Sequence, residues 1–454
     1  MGLAEKLYDR APIFLQNQMC SLSGLLKNRE RYGSAYREAR SFCREFDGWS
    51  PERQAAWQRE RLVRFVREAA ARSPFYGELY KDVDLERFRG PEDLPMLPVV
   101  DKELLRANID RVFTVPASES VISNTGGTTG KSLTIRFTRE DMQIRMAVLD
   151  HFKARVGFEN LKMKRATFNG KHIIPPGQKR RVYWRYNRPG KQMIYSSFDL
   201  TEEKLGAYVE SLNRFRPEAL DGFFTSICDV ASYIERHGVQ LKFRPLAVFT
   251  TSETIHEEGR ALIERVFGCK LYDQYASSEG APFVTECPCQ RLHMELNTGV
   301  FEILENGEIL VTSFTTRGTP LIRYAIGDIM EPENAEYRCP CGLHGTVVKK
   351  IHGRRLDFLY RPDGARINTV NAANLLKYLP NSVIRTQFRQ NRTDALLILL
   401  EVDSNTFREE HKTELLNECK HTFGPDMKVE IRVVDEIPRE KSGKFRMIRS
   451  EIKL

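Results

Sequence analysis

The chain of 454 residues has no apolar run long enough to cross a bilayer. The longest, Ala395 to Leu400, is far below the ~20 residues a membrane-spanning helix needs. The N-terminus has no charged segment leading into a long apolar stretch and a small-residue cleavage site, so no secretory signal is expected and the expected location is cytoplasmic. Met1-Gly2 opens like a myristoylation motif, but Lys6 stands where that motif requires Ser or Thr. Internal repeats and low-complexity tracts are also missing. With 41% hydrophobic and 29% charged residues, a wholly disordered chain is excluded, and the length suits two or three domains.

The net charge is +9, with basic residues spread along most of the chain and denser at Lys179-Arg180-Arg181 and from Arg439 to Arg449. No nucleic-acid module or aromatic–basic interleaving accompanies them, so the balance points to small anionic substrates rather than nucleic acid. A non-catalytic nucleic-acid-binding protein is the least favoured reading. The nine cysteines include two matching triplets, Cys287-Pro288-Cys289 and Cys339-Pro340-Cys341, each followed closely by a histidine, His293 and His344. In a cytosolic chain such sets read as metal ligands rather than disulfides, and thiolate plus imidazole is the donor set of Zn²⁺. Cys20, Cys43, Cys228, Cys269 and Cys419 read as ordinary semi-buried residues.

The first forty residues form an ill-defined prelude in which Leu3, Leu7, Ile13, Phe14 and Leu15 are spaced for a short amphipathic helix. That helix would pack on the body or touch a membrane, with packing favoured. Pro51 opens a clearer helix with Leu62, Phe65, Val66, Ala69 and Ala70 on one face, ended at Ser73-Pro74. A proline-punctuated connector, Pro91 to Pro98, precedes a polar helix near Asp101 to Ile109. Beyond residue 120, strand and helix patterns alternate, predicting an α/β body of layered sheets and helices. Leu246 to Thr250 reads as a buried strand, Ile255 to Phe267 as a helix capped by Gly268, and Lys270 to Tyr272 as the next strand. Phe301 to Phe314 reads as a hairpin turning at Asn306-Gly307. The last hundred residues, 353–454, read as a separate small α+β unit after a large unit spanning 1–352. Its elements are a strand at Leu396 to Val402, a helix at Thr406 to Phe423 and a half-buried strand at Lys428 to Val434.

The segment Ser123-Asn124-Thr125-Gly126-Gly127-Thr128-Thr129-Gly130-Lys131-Ser132 interleaves glycines with hydroxyls and a lysine. Glycines let the backbone N–H groups close on an anion, and the hydroxyls and lysine add donors and charge. This is a phosphate cradle in composition. The glycine that a Walker A loop needs is replaced by Thr125, so a P-loop fold is rejected.

That loop resembles the phosphate-binding signature of the adenylate-forming superfamily, and further segments follow in that superfamily's order. Val248 to Glu253 resembles its adenine-contacting strand end, with Ser252 and Glu253. Tyr272 to Gly280 resembles its aromatic-then-Ser/Thr-Glu motif. Tyr324-Ala325-Ile326-Gly327-Asp328 resembles its ribose motif, Gly353-Arg354-Arg355-Leu356-Asp357 its domain-junction motif, and Pro438 to Lys444 its C-terminal lysine motif. The likeness is strongest to the phenylacetate-CoA ligase and CapK-like branch, including Leu94 to Lys102 and the Cys/His insert. One departure is Leu356, where many relatives carry an acid; Asp357 would then serve as the hinge.

The resemblance implies a large multi-sheet adenylation domain, a small mobile C-terminal domain, and ATP-dependent activation of a carboxylic acid. It implies that Ser123, Thr125, Gly126, Gly127, Thr128, Thr129, Gly130 and Lys131 bind phosphates, that Tyr275 stacks on adenine, and that Ser278 meets the α-phosphate. Glu279 would hold Mg²⁺, Asp328 the ribose, Arg354 the junction, and Lys444 would be the catalytic lysine. It further implies structural zinc on Cys287, His293, Cys339 and Cys341, with Cys289 or His344 as substitutes. The acyl acceptor is coenzyme A or, alternatively, an amine; a dimer is common in this branch. The acid pocket would draw on residues such as Phe168, Trp184, Tyr186, Phe223 and Phe224, which read equally well as core.

Overall fold

The structure is a computed structural model that describes residues 3–124, 133–175, 178–334, 336–352, 358–376, 379, 383–402, 407–437 and 447–452. Four helices lead the chain: α1 (Leu3–Arg10), α2 (Ile13–Arg31), α3 (Ser34–Asp47) and α4 (Pro51–Arg72). In α4, Ser50 accepts from the Arg53 backbone N–H and Pro51 fills the first turn, while Leu62, Phe65, Val66 and Ala69 are buried. Ser73 ends it. The first forty residues are thus not an ill-defined prelude. They form three helices, and the packing expected for Leu7, Phe14 and Leu15 is not found: all three side chains are exposed. The face that α2 buries instead holds Gln16 and Gly24.

Two large sheets form the body. One has six strands in the order Trp184–Asn187, Gln192–Ser196, Arg165–Asn169, Ala219–Phe223, Ala247–Thr251 and Lys270–Tyr272. It is parallel except at the Trp184–Asn187 edge. The helices Glu202–Phe215, Phe224–Arg236 and Glu257–Phe267 connect its strands, as parallel pairing requires. Gly268 caps the last of these helices at φ 66°. The second sheet has seven antiparallel strands, in the order Gly299–Ile303, Glu308–Ser313, Leu321–Pro332, Val347–His352, Leu292–Met294, Val284–Glu286 and Gln274–Tyr275. Its apolar face packs against α4 and the segment 75–112 in one continuous core.

The aromatics suggested for the acid pocket are mostly packing. Phe168 lies flat on Tyr195 with centroids 4.9 Å apart, in the core shared with Phe224 and flanked by Trp184. Tyr186 meets the edge of Phe215. Arg185, fully buried, donates to Gln16, Gln178 and two backbone carbonyls.

The C-terminal residues build a four-stranded sheet in the order Lys428–Val434, Ala395–Val402, Val383–Arg392 and Ile448–Ser450. The helix Glu409–Phe423 packs on it through Leu415, Cys419 and Phe423. Its junction with the body combines polar contacts with the packing of Phe198, which is buried in the C-terminal core. Arg361 donates to the Phe198 carbonyl at 2.8 Å, Lys204 pairs with Asp363 at 3.1 Å, Arg366 pairs with Asp229, and Thr422 meets His172 at 3.2 Å.

Candidate active site and metal centre

The strand Leu321–Pro332 organises the first part of the site. Its Asp328 accepts a hydrogen bond from the Tyr275 hydroxyl at 2.8 Å, and Tyr275 ends the short edge strand Gln274–Tyr275. Tyr324, on the same strand, is buried. Burial pushes its phenol well above the ordinary value, and the nearby carboxylates of Glu279, Asp101 and Asp328 push it further. Three carboxylates therefore bear on one buried ring.

The backbone brings Asp101 and Lys102 there. Val100 forms a parallel bridge with Tyr324: its N–H donates to the Arg323 carbonyl at 3.1 Å, and its carbonyl accepts from Ala325 at 2.9 Å. Asp101 then caps the helix Lys102–Ala107 by accepting from Leu104 at 2.7 Å. Lys102 Nζ lies 3.4 Å from Glu279 Oε1, with both side chains mostly buried.

The turn after Glu279 is clamped from behind. Gly280 sits at φ 100°, and a Cβ there would lie 2.6 Å from Thr316 and 2.7 Å from Phe137, so only glycine fits. Arg145, on the helix Arg139–Ala154, donates to the carbonyls of Gly280 at 2.9 Å and Ala281 at 3.0 Å and to Thr315 at 2.9 Å. Its complete burial lowers its pKa to about 10. Ser278 is exposed beside this turn.

Ser123 lies on the strand Ser120–Asn124, paired opposite Ile135 of the strand Thr134–Thr138. Thr125, Gly126, Gly127, Thr128, Thr129, Gly130 and Lys131 lie outside the described residues, as do Arg354, Leu356, Asp357 and Lys444. Ser252 follows the strand Ala247–Thr251 at φ 68°, an unusual conformation for a residue with a side chain. Glu253 is buried. Its carboxylate accepts from the Thr225 N–H at 2.8 Å, from the Thr225 hydroxyl at 3.0 Å and from Asn368. Burial raises its pKa to about 7 against those hydrogen bonds.

Cys287, His293, Cys339 and Cys341 come together with their donor atoms all within 4.8 Å of one another. Cys287 follows the strand Val284–Glu286, and a tight turn with Gln290 at φ 55° returns the chain to the strand Leu292–Met294. That strand also pairs with Val347–His352, so the connector carrying Cys339 and Cys341 crosses over it. Cys287 Sγ and Cys339 Sγ are 3.7 Å apart, and Cys341 Sγ is 3.5 Å from His293 Nε2. Tetrahedral zinc, with Zn–S of about 2.3 Å and Zn–N of about 2.0–2.1 Å, spaces its ligands at roughly these separations. Burial lowers the pKa of His293, which favours the neutral, metal-binding imidazole, and its Nδ1 is buried with no hydrogen-bond partner. The donor set fits zinc. The two substitutes, Cys289 and His344, are exposed and stand outside the cluster.

The sequence motifs named Tyr275, Glu279, Asp328 and the four Cys/His residues. They gave no role to Lys102, Asp101 or Arg145. The segment ending at Lys102 resembles the same branch, which is the only signal that marked it, and nothing in the sequence marks Arg145.

Residues 359–451 match the CapK C-terminal domain family. Over 452 residues the chain is 34% identical to protein CapK of Staphylococcus aureus, covering 98% of this chain and 99% of that protein. It is 26% identical over 442 residues to phenylacetate-coenzyme A ligase of Thermus thermophilus, covering 87% of this chain and 96% of the other. The crystal structure of 2-hydroxyisobutyryl-CoA ligase in the thioesterification state superposes with a TM-score of 0.58 at 17% identity, covering 89% and 92% of the two chains. The same enzyme in its postadenylation state gives 0.53 at 17% identity, covering 87% and 89%. At that identity the likeness speaks for the fold. With a full-length relative above 30% identity, this chain belongs to the CapK family, in the phenylacetate-CoA-ligase-like branch of the adenylate-forming superfamily.

Proposed function

We propose that this protein activates a carboxylic acid with ATP and passes the acyl group to coenzyme A. A carboxylate acylates poorly because oxide is a bad leaving group. Attack of its oxygen on the α-phosphorus of ATP breaks the bond to pyrophosphate and leaves an acyl-adenylate. A thiol then attacks the acyl carbon, the bond to AMP breaks, and the thiol proton passes to solvent. Because two anions meet in the first step, positive charge must sit where charge accumulates. The observation that carries this reading is the convergence of Tyr275–Asp328 and Lys102–Glu279 along one strand, beside the hairpin that leads into residues 125–131.

In this reading Asp328, steadied by Tyr275, receives the ribose hydroxyls. Ser252 and Glu253 border the adenine, and Ser278 faces the α-phosphate. Ser123 and the loop 125–131 hold the outer phosphates, and Lys444 brings a cation to the reacting oxygen. Magnesium, when bound through Glu279, supplies further charge to the phosphates. Cys287, His293, Cys339 and Cys341 would hold a structural zinc that clips the hairpin 284–294 to the connector 339–346. We assign residues 1–352 to the adenylation unit and 353–454 to a mobile unit carrying Lys444 and Arg354. The ion pairs and single hydrogen bonds at their junction are of a kind that can be exchanged during relative movement.

The test is pyrophosphate release across a panel of carboxylic acids, with and without coenzyme A. Acid-dependent pyrophosphate with AMP and thioester in equal amounts is the expected result. Lys444→Ala is expected to lose pyrophosphate release while keeping its melting temperature. Product that forms only with an amine would replace coenzyme A as acceptor. No acid-dependent pyrophosphate from any acid would end the proposal.

A further inference from the structure

Helix α2 is turned inside out. Its buried side is polar: Gln16 accepts from Arg185 at 2.6 Å, Asn17 accepts from the Tyr186 N–H at 2.9 Å, and Ser21 accepts from the Arg188 N–H at 3.1 Å. Gly24 lies so close to Asn187 that a Cβ would stand 2.1 Å from its side chain. These contacts fix the roll of the helix about its axis.

The opposite side is apolar and faces solvent. At 3.6 residues per turn, Phe14, Leu15, Leu22, Leu25 and Leu26 fall within an arc of about 120°. Phe14 is 65% exposed, Leu22 59% and Leu26 56%. Leu7 of α1 is also exposed, at 59%. A shallow groove lined by Gln18, Ser21, Leu22, Leu25, Arg188 and Pro189 runs along it. Folding alone would not expose these leucines, because the same helix seats its polar residues inward. An outward apolar stripe of this kind marks a docking surface.

Charge selects the occupant. From Leu3 to Arg31 the two helices carry five basic residues against three acidic ones, and Lys6, Arg10, Lys27, Arg29 and Arg188 are exposed. A second copy of this surface would bring like charge against like charge. An anionic lipid surface takes the leucines into its acyl boundary and the arginines and lysines at its headgroups. No helix among the described residues is long and apolar enough to cross a membrane, so the contact is peripheral. We propose that the outer face of α1 and α2 binds an anionic membrane surface.

The experiment is sedimentation of the full chain with vesicles of phosphatidylcholine alone or with 30% phosphatidylglycerol, at low and high salt. Binding to the anionic vesicles is expected, weakened about ten-fold by high salt and at least ten-fold by Leu22→Gln/Leu25→Gln/Leu26→Gln. Lys27→Glu/Arg29→Glu should lose the preference for phosphatidylglycerol. These side chains are exposed, so each variant should keep the wild-type circular dichroism and melting temperature. Wild-type protein that ignores anionic vesicles overturns the proposal, as does a leucine variant that binds them unchanged. A wild-type dimer that the leucine variant converts to monomer, without vesicle binding, overturns it in favour of a second copy on this face.

Discussion

The Tyr275 hydroxyl donates to Asp328 Oδ2 at 2.8 Å, joining residues that lie 53 positions apart in the chain. The tyrosine thus has two ends: a half-buried ring toward Phe301 and a hydroxyl that fixes the carboxylate. If Asp328 receives the ribose, Tyr275→Phe keeps the ring and removes this hydrogen bond to the acid. A hydrogen bond to a charged group is worth about 1.5–3 kcal/mol. KM for ATP should therefore rise about 10- to 100-fold, with a smaller change in kcat. Steady-state kinetics with ATP varied would check this, and an unchanged KM would remove the ribose assignment.

Lys102 and Glu279 share one ion pair, 3.4 Å between nearest atoms. Glu279→Gln should slow pyrophosphate release by ~10²–10³, the usual cost of losing one preorganised charge, and should raise the magnesium concentration needed for half-maximal rate. Lys102→Ala should change the same magnesium dependence in the opposite direction by freeing the carboxylate. Magnesium titrations of both single variants and the double variant provide the cycle. Additive effects would mean that the two side chains do not act together.

Removing the metal should loosen the Cys/His clip and leave the nucleotide site in place. Protein purified without added zinc is expected to carry one zinc per chain by elemental analysis. Cys339→Ser should lower zinc content and lower the melting temperature by about 5 °C or more, since ~1 kcal/mol moves a domain of this scale by roughly 2–4 °C. Metal-free protein whose thiols all titrate freely, with unaltered melting, would sink the zinc assignment.

Glu253 makes stability depend on pH. Its folded pKa, about 7, lies above the ordinary carboxylate value because burial disfavours the charge. Between the two values the folded state binds more protons than the unfolded state, so stability falls as pH rises through that window. The loss is complete above pH 7 and absent below pH 4. Glu253→Gln should flatten this decline, gaining up to about 3 kcal/mol over wild type between pH 4 and pH 8. Urea unfolding midpoints across that range would show it. Parallel wild-type and variant curves would mean the carboxyl is not the source.

What the sequence reveals depends on how local the cause is. The strands Lys270–Tyr272 and Lys428–Val434 fall where apolar runs and alternation put them, because strand period and flanking breakers are local. The four metal-ligand candidates stand out because thiols clustered near histidines are chemically rare. Lys102 against Glu279 was not readable. The pair closes over 177 residues through a backbone bridge at Val100, and backbone pairing leaves no trace in side-chain pattern. Arg145 was hidden because its partners are two backbone carbonyls and a threonine hydroxyl, groups found throughout the chain. The single short helix expected through Leu3, Leu7, Ile13, Phe14 and Leu15 was misjudged for a different reason: it divides into α1 and α2 at Pro12, and periodicity shows that a helix has two faces but not which one meets the body. There the hydrogen bonds of Gln16, Asn17 and Ser21 decide, and the leucines follow.

The strand Thr134–Thr138 leaves the glycine-rich segment, and Thr138 caps the helix Arg139–Ala154 by accepting from Asp141 at 3.0 Å. Two turns later that helix delivers Arg145 to the carbonyls behind Glu279. Hairpin, cap, helix and arginine make one continuous strut with no loop to absorb slack. If residues 125–131 hold the triphosphate as proposed, a displacement there would be passed along this strut to the turn behind Glu279. Inserting a single residue between Thr138 and Arg145 would rotate the guanidinium by about 100° and uncouple the two ends.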